Sequence, residues 1–366
     1  MKIAQIAPLY ESVPPVGYGG TERVVSWLTE ELVRLGHEVT LFASGDSCTS
    51  ARLIPGCAAS LRSMPGCKDF LSHHIVMLEK VRKHRGEFDV LHFHTDYLQF
   101  PLCREWNVNH LTTLHGRLDL PDLVPLYREF DDIPLVSISQ RQRKPLPYAN
   151  WIGNVYHGLP ANLLPFHSGA GKYLAFLGRI SPEKRPDRAI AIATAAGMKL
   201  KIAAKVDAAD RPYFEKTIKP LLSQTNVEFL GEIGDSQKAD FLGNAVACLA
   251  PIDWPEPFGL NMIEAMACGT PTIAFREGSV PEIIDEGVSG LIVDSLEEAV
   301  EAVDRVRLMS RAACRDVFEE RFTSRRMAKD YVKLYEKVAN KTLTFEESLL
   351  AELSETDNEQ MAEDAA

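Results

Sequence analysis

Residues 172–180 read KYLAFLGRI, and with them the strand pattern of the chain starts a second time. The apolar residues run on consecutively instead of alternating. A strand of that kind must be covered on both faces, the condition of a parallel sheet packed between helices. Forward from it come KLKIAAKV (199–206), NVEFLGEI (226–233), VACLAPI (246–252), PTIAFR (271–276) and GLIVD (290–294). Backward lie NWIGNVYHG (150–158), PLVSIS (134–139), HLTTLHG (110–116), FDVLHFH (88–94), EVTLFAS (38–44) and KIAQIAP (2–8). Helical patterns separate these runs. The clearest spans Thr21 to Leu35, with a stripe of Val24, Val25, Leu28, Leu32 and Leu35 and a stop at Gly36. Two successive sets of βα units predict an α/β protein of two doubly wound Rossmann-like domains. The break falls in LPANLLPFHSGAGK (159–172), giving domains of 1–163 and 164–323. Helices are expected near 295–308, 311–321 and 324–340. The last, taken as 324–341, is long enough to rejoin the first domain. Residues 45–67, with two Pro-Gly-Cys triplets, read as a long loop.

The chain has 366 residues, 45% of them hydrophobic, ample for two cores. No apolar run approaches the roughly 18 residues of a membrane span. MKIAQIAPLY reads as a first strand and not as a signal peptide, so a cytoplasmic protein is expected. The seven cysteines are odd in number and form no C-x-x-C, which favours reduced packing residues over a disulfide framework or a zinc site. Of the net charge of −11, the stretch 342–366 contributes eight acidic residues and no basic one. The rest is close to neutral, without the basic footprint of a nucleic-acid binder. The acidic tail is expected to be a disordered appendage. VRKHRG (81–86) and RQRK (141–144) are basic patches. Peripheral contact with the inner face of a membrane and plain solvation both remain open for them.

Ligands of doubly wound domains bind at the carboxyl ends of the strands. GYGGTERVV follows the first strand and opens a helix, with Gly17, Gly19 and Gly20 able to bring backbone N–H groups close to an anion. These glycines lie too far beyond the strand for a dinucleotide fingerprint, and no acidic residue ends the second strand, so an NAD site is disfavoured. LHFHTD (91–96) puts His92 and His94 on one strand face, with Asp96 after them, and His115 ends the next strand. His94 and Asp96 are candidates on the acceptor side. No H-E-x-x-H and no D-x-D occurs, so no metal site is assigned. GRISPEKRPD (178–187) carries Arg179 at a strand end and Lys184 before a helix, two cations suited to a diphosphate. In WPEPFGLNMIEAMACGTP (254–271), Glu256 precedes a helix start near Leu260 and Glu264 lies in its second turn. An acid/base pair, two grips on one ligand and a structural ion pair are all open for these carboxylates.

Together, GYGGTERV, LHFHTD, TLHG, GRISPEKRPD and the E-x7-E of Glu256 and Glu264 resemble the retaining glycosyltransferases of family 4. The resemblance covers the chain to about residue 340. It implies the GT-B architecture, two Rossmann-like domains facing each other across a cleft. It also implies transfer of a sugar from a nucleotide-diphosphate donor to a carbohydrate, lipid-linked or small-molecule acceptor, with no cofactor. By this resemblance Arg179 and Lys184 grip the diphosphate, Glu264 binds the ribose and Glu256 the donor sugar. His115 lies beside the transferred sugar, Gly19 and Gly20 near the phosphates, and Phe258, Gly259 and Leu260 approach the donor through their backbone. Gly231 and Ile233, at the end of NVEFLGEI, fall where the family cradles the base. Two departures affect donor preference: IAAKVDAAD stands where a glycine-rich turn is common, which brings Lys205 into consideration, and VYHGLP where an N-G-V-D-like entry is common. A non-catalytic nucleotide-sugar-binding scaffold and a sugar-nucleotide epimerase of the same fold are the alternatives.

Overall fold

Thirteen strands form two all-parallel sheets in the structure, a computed structural model that describes residues 1–340. The acidic tail read from the sequence lies outside the described residues. The first sheet contains β1 (Lys2–Ile6), β2 (Glu38–Ser44), β3 (Arg52–Cys57), β4 (Val90–Phe93), β5 (His110–Thr113), β6 (Leu135–Ser137) and β7 (Trp151–Asn154), in the order β3-β2-β1-β4-β5-β6-β7. The second contains β8 (Tyr173–Arg179), β9 (Leu200–Lys205), β10 (Val227–Gly231), β11 (Ala245–Ala250), β12 (Thr272–Phe275) and β13 (Gly290–Val293), in the order β10-β9-β8-β11-β12-β13. Each sheet reverses direction beside its first strand, between β1 and β4 and between β8 and β11. Such switch points open a crevice at the carboxyl ends. The consecutive apolar residues explain the layering: Ile3, Ala4 and Ile6 are fully buried, as are Leu174 and Ala175.

The helix Gly20–Arg34 buries the expected stripe of Val24, Val25, Leu28 and Leu32, and Gly36 ends it with a φ of 88°. Residues 45–67 differ from expectation, because they are not all loop. Arg52–Cys57 pairs with β2 as an edge strand despite Pro55. An edge position tolerates a residue that cannot donate a ladder hydrogen bond. The register slips across Gly56, where Ala43 pairs with Pro55 and Ser44 with Cys57. A side chain on Gly56 would meet Leu9 and Met77 at 2.9 and 3.1 Å, so the bulge lets the strand lie close to its cover.

After the helices Leu296–Val306 and Arg311–Arg321 the chain returns to the first domain. Leu159 N–H donates to Phe322 O (3.0 Å) and Ser324 N–H to Leu159 O (2.9 Å). The helical residues 324–340 then bury Tyr331 and Tyr335 against the first sheet, where their hydroxyls meet Thr113 and Gln5. The crossing is tight: a Cβ at Gly158 would stand 2.3 Å from Thr323 O. All seven cysteines are free thiols. Burial pushes Cys248, Cys268 and Cys314 up to about 12, which suits packing and not reactivity. Among the described residues no helix is long and apolar enough to cross a membrane.

Gly158→Ala should lower the unfolding free energy by about 1–3 kcal/mol through overpacking at this crossing. Gly86→Ala, where a Cβ meets nothing within 4 Å, should change it by less than about 0.5 kcal/mol. Denaturant melts of the two variants check this.

Candidate active site

A cleft of about 600 Å³ lies between the carboxyl ends of the two sheets and takes side chains from both. On the second-domain side, Gly259 (φ 83°) turns the chain so that the helix Leu260–Ala267 can begin. The loop before it is stitched down: Ser279 Oγ donates to Phe258 O (2.7 Å) and Ser279 N–H to Glu256 O (2.9 Å). Gly278, at φ 50°, is required there, since a Cβ would stand 2.2 Å from the Glu256 nitrogen. The two glutamates of 254–271 therefore have fixed and separate settings. Glu256 accepts from Trp254 Nε1 (3.0 Å) and pairs with Lys184. Glu264 pairs with Lys238 at 2.6 Å. Lys238 also reaches Asp235 (3.3 Å), which in turn pairs with Arg23 of the first domain.

Arg179 emerges from the end of β8 facing three carboxylates, Asp210 at 3.2 Å, Asp207 at 3.8 Å and Glu183 at 3.9 Å. Lys205, at the end of β9, lies 3.2 Å from Asp207. Arg185 does not share the role of Lys184. It turns away to Asp187 and Asp253, the latter at 2.6 Å. The glycine loop docks across the cleft, where Tyr18 N–H donates to Glu232 Oε1 (2.6 Å), and is braced within its own domain by Arg23 Nη2, which donates to Gly17 O (2.8 Å). A Cβ at Gly17 would fall 2.7 Å from Glu232 Oε1, so a larger residue would displace that carboxylate from the loop.

The first-domain wall is a run of histidines. His92 Nε2 meets Thr113 Oγ1 (2.7 Å) and its Nδ1 meets the Tyr335 hydroxyl (2.8 Å). His94 lies between Gln5 Oε1 (2.8 Å) and His115 Nε2 (2.9 Å). His115 stacks on His157 with ring centroids 5.2 Å apart, and His157 leans on Phe258. The Nδ1 atoms of His115 and His157 are buried without a hydrogen-bond partner. Burial pulls His115 down to about 3 and holds His92, His94 and His157 well below the ordinary imidazole range. Asp96, at φ 53°, lines the cleft beyond them.

Arg179, Lys184, His115, Glu256, Glu264, Gly19, Gly20, Phe258, Gly259, Leu260, Ile233 and Asp96 all line this one cleft. Two candidates differ. Gly231 does not line it: at φ 72° it turns the chain at the end of β10 so that Glu232 and Ile233 do. His94 touches the cleft but is only 3% exposed, and both its ring nitrogens are engaged, so it has none to offer an acceptor. Glu232, Arg23, Lys238 and His157 are lining residues that the sequence did not single out. The last sits in VYHGLP, noted only as a departure. The others are ordinary surface charges until the two domains meet. Of the basic patches, RQRK is partly tied down: Gln140 and Arg141 N–H donate to Glu282, and Arg143 Nε to Ser137 Oγ. Among the described residues no group of three or more His, Cys, Asp or Glu is gathered as a metal site.

Residues 18–192 match the family model for Glycosyltransferase Family 4, and residues 166–319 match that for glycosyl transferases group 1. Both are glycosyltransferase models, and together the two matches run from residue 18 to residue 319. A probable sucrose-phosphate synthase of Thermosipho melanesiensis is 43% identical over 86 residues, 22% of this chain and 20% of that protein. The D-inositol 3-phosphate glycosyltransferase of Thermobispora bispora is 25% identical over 69% of this chain and 72% of its own length. Other curated relatives are matched over only about a third of their length. Among solved structures, sucrose-phosphate synthase from Thermosynechococcus elongatus superposes with a TM-score of 0.77 at 19% identity, covering 92% of this chain and 99% of that one. An Anabaena protein in complex with UDP-glucose gives 0.69 at 16%, covering 92% and 100%. These structures share the two-domain GT-B fold of this chain.

The buried histidine run is expected to make the fold acid-sensitive. The native state holds these imidazoles neutral, whereas the unfolded chain protonates them below about pH 6.5. Unfolded protein then binds more protons, so stability is full above pH 6.5 and is lost as the pH falls toward 3. Each histidine contributes up to about 1.4 kcal/mol per pH unit in that window. Denaturant melts from pH 7 to 4 should show this slope, and His157→Phe should flatten it.

Proposed function

We propose that this chain is a metal-independent retaining glycosyltransferase that moves a hexosyl group from a nucleotide-diphosphate sugar to a hydroxyl-bearing acceptor. The observation that carries the reading is the second-domain half of the cleft. There Arg179 and Lys184 lie at the carboxyl end of β8, with Glu256 and Glu264 beside them on separate partners. In this reading the diphosphate takes the two cations, and the ribose hydroxyls take Glu264. The sugar hydroxyls take Glu256 and the peptide groups around Gly259. Gly19 and Gly20 bring backbone toward the phosphates, and Ile233 and Glu232 border the base. The Anabaena neighbour with UDP-glucose supports a nucleotide-sugar donor.

Departure of a nucleoside diphosphate leaves anionic charge on the phosphate and cationic character on the sugar. Preorganised cations in a partly dry cleft stabilise the former. A double displacement would require a free carboxylate beneath the anomeric carbon. In this reading the sugar hydroxyls and Trp254 Nε1 engage Glu256, which favours same-face attack with the leaving phosphate taking the acceptor's proton. Asp96 remains on the acceptor side. The seven free thiols accord with a cytoplasmic setting.

The test is a thermal-shift panel of nucleotide sugars followed by a hydrolysis and transfer assay on the donor that binds. Arg179→Ala and Lys184→Ala should each lower kcat roughly 100- to 1,000-fold, and a chelator should leave the rate unchanged. Wild-type turnover by Arg179→Ala would remove the leaving-group role. No shift with any donor would point to a non-catalytic scaffold.

A further inference from the structure

His115 is the cleft histidine that the glycosyltransferase reading sets beside the sugar, and its behaviour depends on which ring nitrogen carries the proton. The ring lines the cleft; its Nε2 is engaged 2.9 Å from His94 Nδ1, while its Nδ1 is buried and without a partner within the protein. The choice between the two nitrogens is made elsewhere. Gln5 Nε2 donates to the Tyr335 hydroxyl (3.0 Å), which leaves Gln5 Oε1 facing His94 Nε2 at 2.8 Å. A carbonyl oxygen only accepts, so His94 carries its proton on Nε2. A neutral His94 then has a bare Nδ1, and His115 must donate to it from Nε2. The Nδ1 of His115 is left as a lone pair.

The same polarity continues behind Gln5. The Tyr335 hydroxyl accepts from Gln5 and donates to His92 Nδ1 (2.8 Å). His92 donates from Nε2 to Thr113 Oγ1 (2.7 Å), and Thr113 to the Tyr331 hydroxyl (2.9 Å). Gln5, His92, Thr113 and Tyr335 are completely buried, and Tyr331 is 1% exposed. Each link of this chain then joins one donor to one acceptor. Buried polar groups favour such pairing, and the Nδ1 of His115 has no partner within the protein. The two tyrosines come from the helical residues 324–340, so the returning helix is part of the arrangement.

We propose that His94, oriented by Gln5 and Tyr335, is a positioning residue that fixes His115 in the Nε2-protonated tautomer, so that its Nδ1 accepts a hydrogen bond from a hydroxyl of the sugar in the cleft. The role of the hydroxyl rests on the glycosyltransferase reading, whereas the tautomer does not. His157, stacked on the other face of His115, limits tilting of the ring.

The test is nitrogen NMR of the imidazoles in the full chain, with His115→Gln identifying the His115 signals. The wild type should show His115 protonated at Nε2 and bare at Nδ1. Tyr335→Phe and Gln5→Leu should mix the two forms, and Gln5→Glu, which keeps the acceptor for His94, should retain the wild-type pattern. On a donor that binds, Gln5→Leu should lower kcat at least about 10-fold with little change in donor KM, and Gln5→Glu should recover most of it. Protonation of wild-type His115 at Nδ1, the pattern of a reversed Gln5 amide, would overturn the proposal. So would a tautomer that ignores Gln5→Leu. Neither result bears on whether the chain transfers sugar. Failure of every donor to bind would overturn the hydroxyl role and leave the tautomer standing or falling on the spectra alone.

Discussion

Cations that are to meet a diphosphate have to be held in place before it arrives, and a partly buried cation needs a partner. That constraint organises this cleft. Lys184 is kept by Glu256, Lys238 by Glu264 and Asp235, and Arg179 by Asp210, Asp207 and Glu183. The carboxylates fix the cations at the ends of β8 and of the neighbouring elements without neutralising them permanently. A donor that brings two phosphate charges and several hydroxyls can replace these pairs, giving phosphate to the cations and hydroxyls to the carboxylates. On the proposed reading, Glu256 and Glu264 serve the empty and the filled cleft with different partners. The same logic extends across the domain boundary. Arg23 and the Tyr18 N–H tie the glycine loop to Asp235 and Glu232, carboxylates that flank the proposed base and ribose end.

The opposite wall follows a different rule. There the polar groups are deeply buried, neutral and joined in one continuous hydrogen-bonded run from Tyr331 to His115. A charged run at that depth would be costly, and burial accordingly holds its histidines neutral. The cleft thus has a charged wall and a neutral wall of oriented dipoles. The returning helix supports the latter, and the crossing at Gly158 and Thr323 sets where that helix begins.

Much of this was legible in the residues themselves. Consecutive apolar runs fixed the parallel sheets, and Gly36 marked the end of the first long helix. The strand-end polar residues pointed to the cleft because parallel strands all deliver their carboxyl ends to one side. What escaped did so for physical reasons. Arg52–Cys57 was hidden by Pro55 and Gly56, which read as loop until an edge position and a bulge accommodate them. His92 and His94 looked alike on one strand face, yet their partners, Tyr335 and Gln5, are far away in sequence. Glu232, Lys238 and Arg23 carry no local signature at all. Their meaning comes only from the facing of two domains.

The central claim is that Arg179 holds the diphosphate and not the nucleoside. Calorimetric titration of the wild type and Arg179→Ala, with a nucleoside diphosphate and with its parent nucleoside, tests it directly for each of the uridine, adenosine and guanosine pairs. The account predicts that the diphosphate binds the wild type far more tightly than the nucleoside does, and that Arg179→Ala removes most of this advantage while nucleoside affinity stays the same. Equal weakening of both ligands, or an undiminished advantage, would contradict it.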